Sequence, residues 1–197
     1  MRETWNNRYN RNEYIYGRVP NEFLKTFIDI EKPGSILLPC EGEGRNAVYA
    51  GLKGWQVYAL DFSEIARDKA LKLAESSNVS INYDLAEINE WDSEVKFDCI
   101  AMIYCHFPSV TRQNLHRKLI SMLKPSGKVV MECFSKKQEH YDSGGPSDPD
   151  ALYDTDILRD DFRPLKIEFL QERIVTLNEG LFHRGEASIL RMIAVNY

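Results

Sequence analysis

The chain has 197 residues, 43% of them hydrophobic and 28% charged, with a formal net charge of −5. That length holds one domain with a substantial core, and the acidic balance disfavours a nucleic-acid partner. No apolar run approaches a membrane span. The polar opening MRETWNNRYNRNEY lacks the apolar centre of a signal peptide, so the cytoplasm is the expected location.

Short apolar runs alternate with amphipathic segments along the first two thirds of the chain. SILLPC (35–40) reads as a buried strand and RNAVYAGLKG (45–54) as a helix ending near Gly54. WQVYALD (55–61) is a second strand. SEIARDKALKLAESS (63–77) is a helix, with Ser63 as N-cap and Ala66, Ala70, Leu73 and Ala74 at helical spacing. VSINYDL (79–85) and KFDCIAMIYC (96–105) are the third and fourth strands, the latter apolar enough to be covered on both faces. VTRQNLHRKLISMLKPSG (110–127) reads as a helix stopped by Pro125 and Gly127, and KVVMECFS (128–135) as the fifth strand. This rhythm predicts an α/β fold with a doubly wound, mostly parallel sheet.

The last third changes character. SKKQEHYDSGGPSDPDALYD (135–154) is polar and rich in Gly and Pro, and reads as a flexible loop with a short helix near residue 151. Because it follows the fifth strand, residues 136–150 are expected to form a mobile flap at the ligand-binding end of the sheet. LKIEFLQERIVTL and ASILRMIAVNY, joined by NEGLFHRGE, look like an antiparallel strand pair on the sheet edge, within a single domain spanning 1–197.

GEGRNA (42–47) fits G-x-G-x-x-A, with Asp61 about 20 residues beyond, the outline of a nucleotide-type cofactor turn. The glycines admit a ligand to the backbone, the following helix offers free N–H groups, and Asp61 can accept hydrogen bonds from ribose hydroxyls. Glu41 and Glu43 weigh on the choice of ligand. A carboxylate about 5 Å from a phosphate costs roughly 3 kcal/mol at an effective dielectric near 20. An acidic turn therefore suits a cationic ligand such as S-adenosylmethionine better than a dinucleotide, and an NAD(P)-dependent oxidoreductase is the second reading.

Four cysteines, Cys40, Cys99, Cys105 and Cys133, show no zinc spacing, so no metal site is expected. Of the histidines, His116 reads as a surface residue of its helix and His140 as part of the flap. His106, just after the fourth strand, and His183, beside Arg184 in the FHRG turn, are candidates to face the site.

PCEGEGRNA, GWQVYALDFS, YDLAE, KFDCIAMIYCHFP, MLKPSGKVVMECFS and LFHRGEASILRMIAVNY resemble, in order and spacing, the motifs of the class I S-adenosylmethionine-dependent methyltransferases, specifically the tellurite-resistance methyltransferase-like group. The resemblance covers nearly the whole chain. It implies a seven-stranded Rossmann-like sheet, with the turn Cys40, Glu41, Gly42, Glu43, Gly44 running into Asn46 and wrapping the methionine part of the cofactor. By the same resemblance Asp61 and Ser63 lie at the ribose, Phe62 packs on the adenine, and Asp84 and Leu85 line the base. Tyr104 and Cys105 flank the ammonium and the transferable methyl. Two positions depart from the group's pattern: Leu38 stands where the usual acid of the first strand would fall and Cys40 where the first glycine would, so Glu41 is expected to supply the acid. The N-terminal segment to residue 30, with Trp5, Tyr9, Tyr14 and Tyr16, is expected to form a helix and a turn covering the cofactor, since aromatic faces favour cations such as a sulfonium.

The resemblance implies a small-molecule acceptor, with His106, His183 and Arg184 on its side. A titratable histidine beside a permanent cation favours an anionic or polarisable nucleophile, a chalcogen oxyanion or a thiol. A methyltransferase acting on protein or RNA is a further reading that the acidic balance disfavours. Oligomeric state is not legible in the pattern.

Overall fold

A computed structural model describes residues 2–197. Two helices, α1 (Arg2–Tyr9) and α2 (Glu22–Ile30), lead into β1 (Ser35–Pro39), α3 (Arg45–Leu52), β2 (Gln56–Asp61), α4 (Glu64–Ser76), β3 (Asn82–Leu85), β4 (Phe97–Ile103), α5 (Ser109–Ser121) and β5 (Leu123–Phe134). Two 3₁₀ turns, Lys136–His140 and Pro149–Ala151, precede α6 (Thr155–Asp161), β6 (Lys166–Asn178) and β7 (Arg184–Val195).

The strands form one seven-stranded sheet in the order β3-β2-β1-β4-β5-β7-β6. β1 to β5 pair in parallel, and β7 runs antiparallel to both β5 and β6. β1 is central and its five residues are all buried. Side chains alternate between the two faces: Ile36, Leu38, Cys99 and Ala101 pack into one core cluster with Leu24 and Phe27 of α2, while Leu37, Ile100 and Met102 pack into the other with Leu119 and Phe162. From β1 the chain winds outward through β2 and β3, then returns to lay β4 and β5 on the opposite side. The crevice for a ligand therefore opens at the carboxyl ends of β1 and β4.

Four details differ from the sequence reading. α5 stops at Ser121, because the Met122 carbonyl accepts from Phe97 N at 2.8 Å and draws the chain into the sheet before Pro125 is reached. α6 occupies a stretch too short for a helical period to stand out; Asp154 caps it by accepting from Ile157 N at 2.7 Å. Of the C-terminal pair only β6 lies at the edge, since β7 is paired on both sides. The N-terminal 30 residues form two helices, of which α2, capped by Asn21, packs on the sheet rather than over its end.

Candidate active site

The turn after β1 is built by its own carboxylates. Cys40 leaves the strand at φ +55, Gly42 follows at +64 and Gly44 at +86. Gly44 begins α3 without a side-chain cap, and Glu41 takes over that task. Its Oε1 accepts from Asn46 N at 2.9 Å and Ala47 N at 2.7 Å, satisfying helix N-terminal donors. Burial pushes the Glu41 carboxyl up to about 7 against these bonds and the charge of Arg45. Glu43 turns the other way: it accepts from Ile15 N at 2.7 Å and pairs with Lys69. Lys69 also donates to the carbonyls of Tyr9, Arg11 and Glu13, so the pair clips the N-terminal segment to the turn. Glu41 Oε1 thus serves helix capping, and Glu43 serves docking of the N-terminal segment. Gly44 has a packing reason as well, because a Cβ there would stand 2.6 Å from the Ala70 side chain. Asn46 accepts from Asn21 N at 2.9 Å.

The ribose side is led by Asp61 at the end of β2. One carboxylate oxygen accepts from Gly42 N at 3.1 Å and the other from Ser63 N at 2.9 Å. Burial raises its pKa to about 6, with the amides of Ser63, Gly42 and Phe62 opposing. Ser63 caps α4 by accepting from Ala66 N, and its hydroxyl donates to Asn6 Oδ1 of α1 at 2.5 Å. Phe62 is half-buried beside it. Leu85 lies in register with Asp61 on the adjacent strand. Asp84 is exposed and accepts from Trp91 Nε1 at 2.7 Å. Over all this sits Tyr9: a Cβ on Gly42 would stand 2.8 Å from its hydroxyl oxygen, and burial raises its pKa well above the usual, with Asp61 and Glu43 adding to the rise.

Across the crevice Tyr104 follows β4 at φ +53. Its hydroxyl donates to Glu132 Oε1 at 2.8 Å. Glu132 is 1% exposed and also accepts from Asn21 Nδ2 at 2.6 Å and Arg191 Nε at 2.5 Å. The Tyr104 ring meets His183 edge-on at 4.5 Å; Tyr16 lies 4.5 Å from His183 on another side, and Phe134 at 5.3 Å. His183 Nδ1 faces Glu179 Oε2 at 3.3 Å. Glu179 also accepts from Arg45 at 3.0 Å and Asn21 at 3.2 Å. Burial pushes Glu179 up, but His183 and Arg45 outweigh it and hold the carboxyl near about 2. Burial pushes the His183 pKa down, with Glu179 opposing.

Two candidates from the sequence are not brought into this arrangement. His106 is locked by backbone: its Nδ1 bonds Ala151 O at 2.8 Å and its Nε2 accepts from Phe134 N at 3.2 Å. With both nitrogens engaged and burial pushing its pKa down to about 4, it is a neutral structural post. Arg184 begins β7, whereas His183 lies in the bend just before it. His183 is buried and Arg184 exposed. His116 proves fully buried rather than on the surface, bonded to Asp161 at 2.9 Å in the core under α5 and α6.

Residues 36–127 match the family profile described as a methyltransferase domain. The matched stretch runs from β1 into β5 and holds the glycine turn and Asp61. A ubiquinone biosynthesis O-methyltransferase from Rickettsia conorii is 28% identical over 123 residues, 61% of this chain. The chain spans 41% of that relative's length. The fold is shared with a structure from work on conversion of a disulfide bond into a thioacetal group during echinomycin biosynthesis (TM-score 0.79, 17% identity, all of this chain and 93% of that one). TehB from Haemophilus influenzae superposes with TM-score 0.73 at 17% identity, over all of this chain and 67% of that one. Magnesium protoporphyrin IX methyltransferase from Synechocystis with bound SAM superposes with TM-score 0.70 at 15% identity, over all of this chain and 95% of that one.

The residues of the crevice fit S-adenosylmethionine as cofactor. Asp61 keeps unused lone pairs for hydroxyl donors, and the atom nearest an added Cβ at Gly42 belongs to a tyrosine side chain rather than to backbone. That tyrosine rides on α1, an element held by side-chain bonds, so the space opens if α1 shifts. When bound, S-adenosylmethionine supplies a methyl group on a positively charged sulfur leaving group. The sequence reading named Tyr9 but passed over the largely buried polar network of Asn21, Arg45, Glu132, Glu179 and Arg191. One signal for it stood in VVMECF, where a glutamate interrupts a strand otherwise apolar on both faces.

Proposed function

We propose that the chain methylates a small protic acceptor, a thiol first among the candidates, with His183 as the base that removes the acceptor proton. One observation carries this reading: an imidazole held at Nδ1 by Glu179 and walled by Tyr16, Tyr104 and Phe134. Glu179 keeps the proton on Nδ1 and leaves Nε2 to accept. His183 Nε2 would take the acceptor proton, and bound S-adenosylmethionine would supply the methyl group. Tyr104, fixed through Glu132, lines the approach, and the aromatic walls exclude water and favour an uncharged acceptor.

With Arg184 turned outward, the charge argument for a chalcogen oxyanion, and with it the tellurite-resistance subgroup, loses its main support. A hydroxyl acceptor is the second reading, because the curated relative is named an O-methyltransferase. Release of S-adenosylhomocysteine measured across thiols, phenols, selenite and tellurite tests both. The thiol panel is expected to turn over with a rate that rises with pH as His183 loses its proton. His183→Ala is expected to lower the rate by about 10²–10⁴, and Glu179→Gln to shift the pH profile. Turnover confined to oxyanions and indifferent to His183 would refute the proposal.

A further inference from the structure

The topological crevice of the sheet is spanned by two thiols that the methyl-transfer reading does not use. Cys40 closes β1 and Cys105 follows β4, the two strands on either side of the switch point. The Cys105 thiol donates to the Cys40 sulfur at 2.8 Å, not far from the roughly 2.05 Å of a disulfide. Both strand exits are in unusual backbone conformations, with Cys40 at φ +55 and Tyr104, next to Cys105, at φ +53. Such left-handed non-glycine residues store strain where a chain is held for a purpose. Cys40 is half-exposed and Cys105 is 1% exposed, so an oxidant in solution meets Cys40 first. The other two cysteines, Cys99 and Cys133, are fully buried.

We propose that Cys40 and Cys105 form a reversible disulfide that staples the β1–β4 crevice and shuts out the cofactor. With hydrogen peroxide as oxidant, the Cys40 sulfur takes one oxygen to become a sulfenic acid and one water leaves. Cys105 sulfur then attacks the Cys40 sulfur, the S–S bond forms, and the displaced hydroxide leaves as a second water with the Cys105 proton. Two thiols and one peroxide become one disulfide and two waters. A dithiol reductant reverses the bond by exchange. Burial raises the Cys105 pKa, so the first oxidation falls to the more accessible Cys40 and Cys105 loses its proton as it attacks. The bond would pull Cys40 toward β4 and with it the turn from Glu41 to Gly44, where Glu41 N is tied to Leu60 O and Gly42 N to Asp61. The gating half of this proposal rests on the cofactor site described above.

The test treats the full chain with hydrogen peroxide, alkylates what remains, and maps the peptides. A Cys40–Cys105 linked peptide lighter by two hydrogens is expected, with Cys99 and Cys133 alkylated only after unfolding. Calorimetry with S-adenosylmethionine is expected to show a Kd at least about tenfold weaker in the oxidised chain, restored by dithiothreitol. In Cys105→Ser the linked peptide is absent and dithiothreitol recovers no affinity from an over-oxidised Cys40. No linked peptide in the native chain, with reduced-state binding intact, overturns the thiol proposal alone. A linked peptide with unchanged Kd overturns the gating. A reduced chain that fails to bind S-adenosylmethionine overturns the gating together with the proposed function, while the peptide map still decides whether the thiols pair.

Discussion

Asp61 shows how one side chain serves structure and ligand together. Its two oxygens hold Gly42 N and Ser63 N, so they fix the turn before any cofactor arrives. Ribose hydroxyls would donate to the same carboxylate, and such bonds to a charged group are worth about 1.5–3 kcal/mol each. Asp61→Asn keeps one acceptor and is expected to weaken the S-adenosylmethionine Kd about tenfold. The parent should show a pH dependence that the variant lacks. With the carboxyl titrating near about 6, affinity rises as pH climbs through that value and levels off above it. Calorimetry between about pH 5 and about pH 8 reads both effects; equal affinities in parent and variant across that range would remove Asp61 from the site. Arg184 teaches the converse lesson. It is exposed beside the buried His183, so Arg184→Ala is expected to leave turnover within about twofold of the parent.

At the scale of elements, α1 and the 136–150 segment are expected to govern access. α1 is held by the Asn6–Ser63 bond, and the chain just after it by the Lys69 and Glu43 clip. Its last residue, Tyr9, lies over Gly42. Cofactor entry therefore requires α1 to shift, and Tyr9→Ala is expected to speed S-adenosylmethionine association in stopped-flow measurements. An unchanged association rate would mean that the cofactor enters by another route. The 136–150 segment divides in two. Gln138 is buried, donates to Ser143 and Gly144 and accepts from Ser188 N, which anchors the first half. Beyond it the chain is largely exposed up to the second 3₁₀ turn. Gly144 lies close to His183, since an added Cβ would be 3.4 Å from Nε2. Hydrogen exchange is expected to be slow around Gln138, fast over 144–150 in the free chain, and slowed there by cofactor with acceptor. Exchange over 144–150 that ignores both ligands would count against the flap.

For the molecule as a whole, stability against pH combines opposing groups. His106, His116 and His183 have pKa values pushed down by burial. The unfolded chain binds more protons at these sites, so their contribution is complete above the unfolded value near about 6.5 and is lost as pH falls toward the folded values. Glu41 and Asp61 have raised values, about 7 and about 6. Their contribution is complete below the unfolded carboxylate range near about 4 and is lost as pH rises through those folded values. In the shared window the two sets oppose, and urea unfolding is expected to show a shallow profile between about pH 4.5 and about pH 6.5, steepening below. Glu41→Gln retains an acceptor for Asn46 and Ala47 N–H without the titration, so in that variant the histidine slope emerges and stability falls more steeply on acidification. A parallel profile in parent and variant would show that Glu41 does not titrate in this range.

The strands and main helices were legible in the sequence because their causes are local. Short continuous apolar runs mark β1, β2 and β4, Ser63 announces α4, and the glycine turn with Asp61 at the next strand end marks the cofactor side. The family resemblance rested on the same local patterns. Tertiary structure alone decided where the polar side chains point. Glu41 looked like a ligand group and is a helix cap; Glu43 looked like its partner and holds a segment 28 positions away. Asn21 meets Glu132 across 111 positions, and Glu179 meets Arg45 across 134. Pairings of that range leave no periodic trace. An apolar pattern reports only whether a position is buried, whereas the direction and partner of a charged group depend on which distant backbone donors and counter-charges the fold brings beside it.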